Sequence, residues 1–445
     1  MRPIALSAFL SIACLLPAFS ETKVWPEFMG PGGSGRSEAT GIPTEFGPET
    51  NLKWSVDLPG RGWSSPVSDG VSLWLTAAVE VFPDEEERLR LLRESGEEEK
   101  KFKQRQVATG INLVVFEVEL ATGSLKRRLD FESIESPQTI HTQNSFASPT
   151  PVLFEELVIA HFGAFGTFAI DRQSGETVWE RKIVIEHGVG PGSSPVVDDG
   201  ILFLICDGVD AQFVEALDAR TGETIWRTDR PEMRAPIGDR KKSYNTPVVI
   251  TPTATGRKEV VCMGAQWLIA YDPKDGREIW SLDHGSGFSV VPRPAFSEAN
   301  QLLYVATGFG QSELLAVKPG QGMLDPDSDL AWKETKRIPT RPSPLLVGEE
   351  LFVISDGGVA TCFDAATGAI HWTERVAGNY SGSPVAVGDR IFFSSMEGAV
   401  TVIKASPTFN PLVRNELGEM IMATPVPLDE SLLIRTEAGL RCFSE

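Results

Sequence analysis

A sequence motif that recurs in most cases every forty to fifty residues constrains the fold of this chain more than any other feature. Its clearest copy begins at Ser194–Val197, continues through the apolar run Ile201–Ile205 and ends with the segment Ala216–Trp226. Each copy contains four short runs typical of β-strands, and turn-forming residues separate these runs. A repeat of this size is typical of one four-stranded blade of a β-propeller.

Each part of this sequence motif has a physical role. The proline opens the first strand, where its missing backbone N–H costs little. The segment Asp218–Gly222 predicts a hairpin turn, in which the glycine supplies a positive φ. The tryptophan four residues later, Trp226, is predicted to pack against the next blade and seal the joint between the two. The opening prolines are Pro66, Pro149 or Pro151, Pro195, Pro247, Pro294, Pro344, Pro384 and Pro425.

Eight copies predict an all-β, eight-bladed β-propeller of four-stranded antiparallel blades. The last copy ends early, after Leu440–Phe443, whereas Asn51–Val56 resembles a fourth strand with no copy before it. We therefore expect the N-terminal strand to complete the last blade, which removes an open sheet edge. The structural tryptophans predicted from the repeat are Trp54, Trp179, Trp226, Trp280, Trp332 and Trp372.

The sequence divides into a leader, an arm and the repeats. Residues 1–20 combine a positive start at Arg2, an apolar run and small residues, which predicts a secretory signal peptide and therefore a periplasmic or extracellular protein. Lipidation at Cys14 stays open. Residues 21–50 are predicted to form an irregular arm, and residues 51–445 the propeller. A charged insertion at about 83–106 favours a solvated helix, with a partner-docking arm as the alternative.

The net charge of −20 limits the possible partners. An acidic protein is repelled by nucleic acids and by anionic lipid surfaces. No stretch after the leader is apolar for long enough to span a membrane. We expect a monomer whose partner is an envelope or secreted protein, or a polar small ligand.

The repeat pattern resembles a known family. Ser-Pro-Val, an apolar strand and Ala-x-Asp-x-x-Thr-Gly-x-x-x-Trp resemble the pyrroloquinoline-quinone (PQQ) propeller repeat over nearly all of residues 51–445. Proteins with this repeat include quinoprotein alcohol and glucose dehydrogenases and the scaffold lipoprotein of the outer-membrane barrel-assembly machinery. In finer detail the chain resembles exported PQQ-like propellers of planctomycete-type bacteria, through the segments Trp25–Pro31, Pro59–Pro66, Ser289–Pro294 and Asn379–Pro384.

Features of the quinoprotein dehydrogenases are missing from the sequence. It has no adjacent cysteines, no c-type haem motif and no segment that matches their calcium-and-base constellation of Glu, Asn and Asp, so none of their catalytic residues is carried over. We favour an exported, non-catalytic propeller that binds a partner protein or envelope ligand through a funnel at one end of the channel. The alternative is a quinone-dependent oxidoreductase that uses PQQ and Ca²⁺ on alcohols or sugars. The cofactor, and whether the protein is an enzyme, therefore stay open.

Two sets of loops are predicted to share the face on which a ligand would bind: the segments before the opening prolines and the loops between second and third strands. These loops carry side chains that turns do not require, although Asp and Gly there can equally be turn formers and a rim histidine can be structural. The predicted ligand-binding funnel consists of His141, Asn144, His161, His187, Asp207, Asp210, Lys242, Tyr244, Gln266, Arg293, Gln311, Arg341, Asp356, Tyr380 and Glu397.

Four of these residues carry more specific expectations. Arg293 and Arg341 are the expected anion contacts, because an arginine fork binds a carboxylate through two parallel hydrogen bonds. Asp207 and Asp210 offer a hard cation only two carboxylates, which are too few to predict a metal site.

Overall fold

Eight small antiparallel sheets surround one axis in the computed structural model, which describes residues 24–131 and 133–445. The predicted signal peptide and Cys14 lie outside the described residues. The first strand of every blade follows an opening proline directly, and in blade 2 this proline is Pro151. First strands of neighbouring blades contact each other at most joints around the axis. The prediction of an all-β, eight-bladed propeller is confirmed.

Within each blade the strands follow one another from the axis outward. Blade 1 consists of Val67–Ser68, Ser72–Val81, Gly110–Glu119 and Leu125–Asp130, and blade 2 of Val152–Phe154, Leu157–His161, Thr167–Asp171 and Thr177–Arg181. Blade 3 consists of Val196–Asp198, Ile201–Asp207, Gln212–Asp218 and Thr224–Asp229, and blade 4 of Val248–Ile250, Glu259–Met263, Trp267–Tyr271 and Glu278–Asp283. Blade 5 consists of Ala295–Ser297, Leu302–Ala306, Leu314–Val317 and Leu330–Glu334, and blade 6 of Leu345–Val347, Glu350–Ile354, Val359–Asp364 and Ile370–Arg375. Blade 7 consists of Val385–Val387, Arg390–Ser394, Ala399–Lys404 and Pro411–Glu416.

Blade 8 is closed by the N-terminal part of the chain, as predicted. Its strands are Val426–Leu428, Ser431–Arg435, Gly439–Ser444 and, outermost, Leu52–Asp57. Trp54 pairs with Cys442, and the amide of Leu58 donates to the carbonyl oxygen of Ala438 at 2.9 Å. The two ends of the propeller are therefore joined by an antiparallel ladder, whose register shifts once, between Leu52 and Trp54.

In the part of the chain that the structure describes, helical structure is confined to short segments. Helix α1 spans Glu85–Glu94, and Asp84 caps it by accepting from the amide of Glu87 at 2.9 Å. Short 3-10 helices cover Pro31–Gly33, Glu99–Gln104, Gly163–Phe165 and Gly238–Arg240. Additional two-residue strands are Arg36–Ser37, Arg105–Gln106, Ile134–Glu135, Ile140–His141 and Gly322–Met323. Among the described residues no helix is both long enough and apolar enough to cross a bilayer.

The blades are held together by apolar clusters that cross the joints. The cluster between blades 2 and 3, for example, contains Ile159, Leu204 and Leu217, all essentially inaccessible to solvent. Short strands that are apolar on both faces are suited to this position, because each sheet is covered by a neighbour on either side. Removing this apolar surface from water is the main source of stability in such an architecture.

Five of the six predicted tryptophans reach across a joint. Each donates its indole N–H to a backbone carbonyl oxygen of the next blade, at 2.8 to 3.0 Å: Trp54 to Leu120, Trp179 to Ala219, Trp226 to Pro273, Trp332 to Ala365 and Trp372 to Ser406. Trp280 differs, since it donates to Glu259 of its own blade at 2.7 Å. Blade 5 lacks the Thr-Gly turn that would receive Trp280, and the strand Gly322–Met323 pairs with Trp280 and Ser281 instead.

The N-terminal arm fills the channel. Trp25 pairs in antiparallel fashion with Ser68 of blade 1, whereas Arg36–Ser37 runs parallel to the first strand of blade 7. All first strands run in the same direction along the axis, so residues 25–37 enter the channel, turn and run back. We call this U-shaped segment the plug.

Candidate functional site

The face on which the first strands begin is organised by a ring of hydrogen bonds, which we call the belt. It is formed by the residue before each opening proline. At six of the eight joints the backbone N–H of this residue donates to the hydroxyl oxygen of the equivalent residue in the next blade, at 2.9 to 3.2 Å: Ser65 to Thr150, Thr150 to Ser194, Ser194 to Thr246, Arg293 to Ser343, Ser343 to Ser383 and Ser383 to Thr424. The Ser-Pro part of the repeat therefore joins blades.

The two remaining joints use variants of this contact. Between blades 8 and 1, the hydroxyl of Ser65 donates to the carbonyl oxygen of Thr424 at 2.9 Å. Between blades 4 and 5 the hydroxyl is replaced by Arg293, whose Nε donates to the carbonyl oxygen of Pro247 at 3.1 Å.

Arg293 also fastens the plug. One terminal nitrogen donates to the carbonyl oxygen of Phe28 and the other to the carboxylate of Glu27 at 2.9 Å. The Arg293 side chain is 1% exposed. The prediction that Arg293 contacts a ligand anion is therefore corrected, because a buried carboxylate of this chain already occupies its guanidinium.

A cavity of about 470 Å³ lies above the plug, and Phe28 of the plug contributes to it. The plug and the belt form its lower part, and the segments before the opening prolines form its walls. Its lining consists of Phe28, Trp63, Gln104, His141, Gln143, Asn144, Ser148, Thr150, Val189, Pro191, Gly192, Ser194, Tyr244, Thr246, Phe288, Ser289, Val291, Phe309, Arg341, Ser381, Gly382, Ser383, Met422, Ala423 and Thr424. We call this space the funnel cavity.

Four of the fifteen predicted funnel residues, His141, Asn144, Tyr244 and Arg341, line this cavity. All four come from the segments before opening prolines. Apart from Gln104 of the charged insertion in blade 1, the loops between second and third strands contribute only Phe309 to the lining, because these loops lie farther from the axis.

The other eleven predicted residues make contacts elsewhere in the fold. Five are buried besides Arg293 and Asp207: His161 bonds Thr167, His187 accepts from the amide of Ala164, Lys242 pairs with Asp239, Gln266 accepts from the amide of Arg234, and Tyr380 donates to Ala377. Exposed residues outside the cavity are Asp210, which accepts from the amide of Glu186, Gln311 beside Glu313, and Glu397, which accepts from Asn379. Asp356 holds Arg341 from behind.

Asp207 is removed from ligands by a buried ion pair. Its two carboxylate oxygens accept from Arg230 at 3.0 and 3.2 Å, and both side chains are at most 1% exposed. Asp207 therefore does not face a ligand together with Asp210, which lies on the exposed side of the loop.

Arg341 is the cation that faces the cavity. Its Nε donates to Asp356 at 2.7 Å, and Asp356 also accepts from the amide and hydroxyl of Thr340. The Arg341 Nη1 atom lies 3.5 Å from the side-chain oxygen of Gln143, and Nη2 has no hydrogen-bond partner among the described residues. The carboxylate therefore fixes the guanidinium plane from outside the cavity and leaves one edge of the fork free.

His141 reports the electrostatics of the cavity mouth. Burial, together with the positive charges of Arg105, Arg341 and Lys242, lowers the pKa of His141 below its usual value. Its Nδ1 accepts from the amide of Gln143 at 3.1 Å, so the neutral ring carries its proton on Nε2. The mouth thus combines a positive potential with a neutral imidazole.

The charged insertion contributes to the cavity rim, which the sequence did not predict. Its apolar residues Leu92, Phe102 and Val107 form a small cluster of their own. The strand Arg105–Gln106 then pairs with Ile140–His141, and this pairing brings Gln104 to the cavity.

Comparisons with known proteins agree with this architecture. Residues 164–406 match the family described as outer membrane protein assembly factor BamB. The chain belongs to this family. The match covers more than half of the sequence and includes blades 3 to 6 completely.

Individual relatives of this BamB-family chain fall into two functional classes. It is 31% identical over 130 residues to 1-butanol dehydrogenase (quinone) of Thauera butanivorans, which corresponds to 26% of this chain and only 19% of that protein. Its fold is similar to that of BamB from Moraxella catarrhalis, with a TM-score of 0.53 and 14% identity over 76% of this chain and 96% of the other. It is also similar to a europium-containing methanol dehydrogenase, with a TM-score of 0.50 and 11% identity over 92% and 88% of the two chains. At these identities the structural likeness shows the fold alone.

The residues of the funnel cavity do not fit a centre of PQQ and Ca²⁺. Ca²⁺ takes six to eight oxygen ligands, carboxylates prominent among them. The cavity lining contains no Asp, Glu or Cys. Within residues 24–131 and 133–445 no group of three or more His, Cys, Asp or Glu side chains is arranged to hold a metal ion.

Proposed function

We propose that this protein is an exported, non-catalytic propeller that binds a partner protein or an envelope ligand through the funnel cavity. The observation that carries the proposal is a cavity of about 470 Å³ that rests on the protein's own plug and is lined by aromatic side chains and hydrogen-bond donors. Its volume lies within the roughly 300–1,000 Å³ of typical small-ligand sites. A ligand, or one segment of a partner, can therefore be largely enclosed.

The non-catalytic assignment is supported by the ionisable groups of the lining, which are His141, Tyr244 and Arg341. The Tyr244 hydroxyl donates to the carbonyl oxygen of His187 at 2.7 Å, and burial raises its pKa well above the usual value. The Nδ1 of His141 is occupied by a backbone amide, and no carboxylate of the lining orients the ring. A nucleophile–base–orienter arrangement of the kind that acid–base catalysis uses is not assembled from these groups.

Export is supported by the apolar leader of residues 4–19 and by membership of a family named for an outer membrane assembly factor. The mass of the protein recovered from the cell envelope should correspond to a chain that begins near residue 21. A protein recovered at full length from the cytoplasm would contradict export.

Binding through the funnel can be tested by photo-crosslinking in the cells that produce the protein. A photoreactive amino acid replaces Phe309 at the rim, and in a matched control it replaces Val184, which is 89% exposed and lies outside the cavity. We expect a discrete adduct, identified by mass spectrometry, at position 309 only. No adduct at 309, or the same adduct at both positions, would contradict the proposal.

The oxidoreductase alternative is tested by titration with PQQ and Ca²⁺. The proposal predicts no change of Tm with either or both, because the lining offers no carboxylate for the cation. A ligand at one hundred times its Kd stabilises a protein by about 2.7 kcal/mol, which a melting experiment detects. A rise of Tm that requires both PQQ and Ca²⁺, together with dye-linked oxidation of alcohols, would establish the alternative.

A further inference from the structure

We infer that the funnel cavity binds an organic monocarboxylate, whose carboxylate contacts Arg341 and whose apolar body packs against the aromatic walls. This inference rests on the proposed function and specifies its ligand chemistry. The carboxylate can belong to a small molecule or to the C-terminus of a peptide chain.

The hydroxyl groups of the belt provide hydrogen-bond donors along the lower wall of the cavity. Every hydroxyl oxygen of the belt except that of Ser65 already accepts a backbone N–H from the preceding blade. A hydroxyl carries one donor, and this hydrogen is left over once the oxygen accepts from the belt. Four belt hydroxyls in the lining have no acceptor for this hydrogen among the described residues, namely those of Thr150, Ser194, Thr246 and Thr424.

The free edge of Arg341 adds the one positive charge of the lining. Asp356 holds the guanidinium from outside the cavity, so the free Nη2 edge keeps a fixed orientation without a carboxylate entering the cavity. Fixed guanidinium forks bind carboxylates in a bidentate manner, and such charge-assisted bonds are stronger than neutral ones.

The charge balance favours a ligand with a single negative charge. A chain of net charge −20 presents a cavity lined by no Asp or Glu and by one arginine. His141 is neutral and contributes a further donor at Nε2 rather than a second positive charge. One guanidinium and several neutral donors match one carboxylate, whereas a phosphate ester would need more positive charge.

The apolar residues of the cavity lining determine the chemical character of the rest of the ligand. The apolar lining of the cavity includes the large side chains of Trp63, Phe288, Phe309, Phe28 and Met422. The Trp63 ring is fixed by its indole N–H, which donates to the carbonyl oxygen of Gln143 at 3.2 Å. Aromatic walls of this kind bury apolar groups and stack on planar ones. The ligand is therefore amphipathic, with an acidic end and an apolar end.

The test is calorimetric titration of the full protein with matched acids and amides. The small-molecule arm uses 3-phenylpropionate and its primary amide. The peptide arm uses acetyl-Ala-Ala-Phe with a free C-terminus and the same peptide amidated. The variant Arg341→Gln removes the fork, Arg341→Lys keeps the charge, and Arg375→Gln alters an exposed arginine outside the cavity as a matched control. Thermal melting establishes that each variant is folded.

We expect at least one acid to bind about tenfold or more tightly than its amide, as one charge-assisted hydrogen bond implies. Arg341→Gln should abolish this preference, Arg341→Lys should retain part of it, and Arg375→Gln should leave it unchanged. Whichever of the two acids binds more tightly, 3-phenylpropionate or the peptide, identifies the source of the carboxylate. Equal binding of acid and amide, or of wild type and Arg341→Gln, overturns the inference.

The inference and the proposed function fail in distinguishable ways. If neither acid binds at millimolar concentration while the adduct at position 309 forms, the monocarboxylate is wrong and binding through the funnel stands. If the adduct is absent, the proposed function fails, whatever the titrations show.

Discussion

Single side chains in this propeller serve the architecture even where the sequence pointed to ligands. Arg293 and Asp207 precede or follow strands at the predicted binding face, but each is neutralised by a buried partner. The partner of Arg293 is 266 residues away in the chain, and that of Asp207 is 23 residues away. A pairing at such a distance leaves no local pattern, which is why sequence reasoning assigned both side chains to the funnel.

The Arg293–Glu27 pair should be essential for stability. Removing one member of a buried ion pair typically costs about 3–5 kcal/mol, because the other charge stays buried without compensation. We expect Arg293→Ser to lower the free energy of unfolding by that amount. The double variant Glu27→Gln/Arg293→Ser should recover part of the loss, as measured by chemical denaturation. A loss below about 1 kcal/mol in Arg293→Ser would show that the pair does not fasten the plug.

His161 should make the fold sensitive to acid. It is buried against Thr167, and burial followed by the nearby His187 lowers its pKa to about 3 from a usual value of 6.5. Between these pH values the unfolded chain binds a proton that the folded chain does not, so the stability present above pH 6.5 is lost as the pH falls.

The variant His161→Gln isolates this effect, since an amide can still bond Thr167 and does not titrate. The stability advantage of the wild type over the variant should shrink by about 1.4 kcal/mol per pH unit between about pH 6 and pH 4. Denaturation curves across this range measure the difference. Parallel pH profiles for the two proteins would contradict the assignment.

At the scale of a blade, the glycine turn of one blade packs against the tryptophan of the preceding blade. A Cβ atom on Gly123, Gly222, Gly276 or Gly368 would lie 2.4 to 2.7 Å from the ring of the tryptophan in the preceding blade. The glycine is required both by its positive φ and by the ring that lies on it. This explains why the turn and the tryptophan recur together in most copies of the repeat.

A matched pair of glycine variants separates the two requirements. Gly222 has a φ of +72° and contacts Trp179, whereas Gly418 has a φ of +74° and open space within 4 Å of the position that a Cβ atom would take. Gly418→Ala should cost about 1–2 kcal/mol through backbone strain alone. Gly222→Ala should cost a further 1–3 kcal/mol or so through overpacking. Equal losses of unfolding free energy would show that the ring contact is unimportant.

The repeat predicted some elements of the fold and some residues of the candidate site, but not others. The period of the repeat predicted the number of blades and the closing strand, because proline, glycine and tryptophan each have a positional reason to recur. His141, Asn144, Tyr244 and Arg341 were found because they precede opening prolines. Phe28 and Gln104 were missed, since an irregular arm and an insertion bring them to the cavity through long-range contacts that have no period.

For the whole molecule, three features combine into one closed body. The N-terminal strand closes the ring of blades, the belt joins the blades at the binding face, and the plug fills the channel beneath. A propeller with an open channel would offer ligands a passage, whereas this one offers a cavity with a floor. Phe28 belongs to that floor, so the integrity of the cavity depends on the plug.

Amide hydrogen exchange over the plug tests this account most directly. Within the plug the amides of Trp25, Gly33 and Gly35 donate to backbone oxygens at 2.8 to 2.9 Å, and the first strands enclose them. Helix α1 lies on the surface of the same molecule and serves as an internal control. We predict that residues 25–37 exchange as slowly as the first strands of the blades and much more slowly than residues 85–94. Exchange of the plug as fast as that of helix α1 would contradict the account, because the funnel cavity would then have no permanent floor.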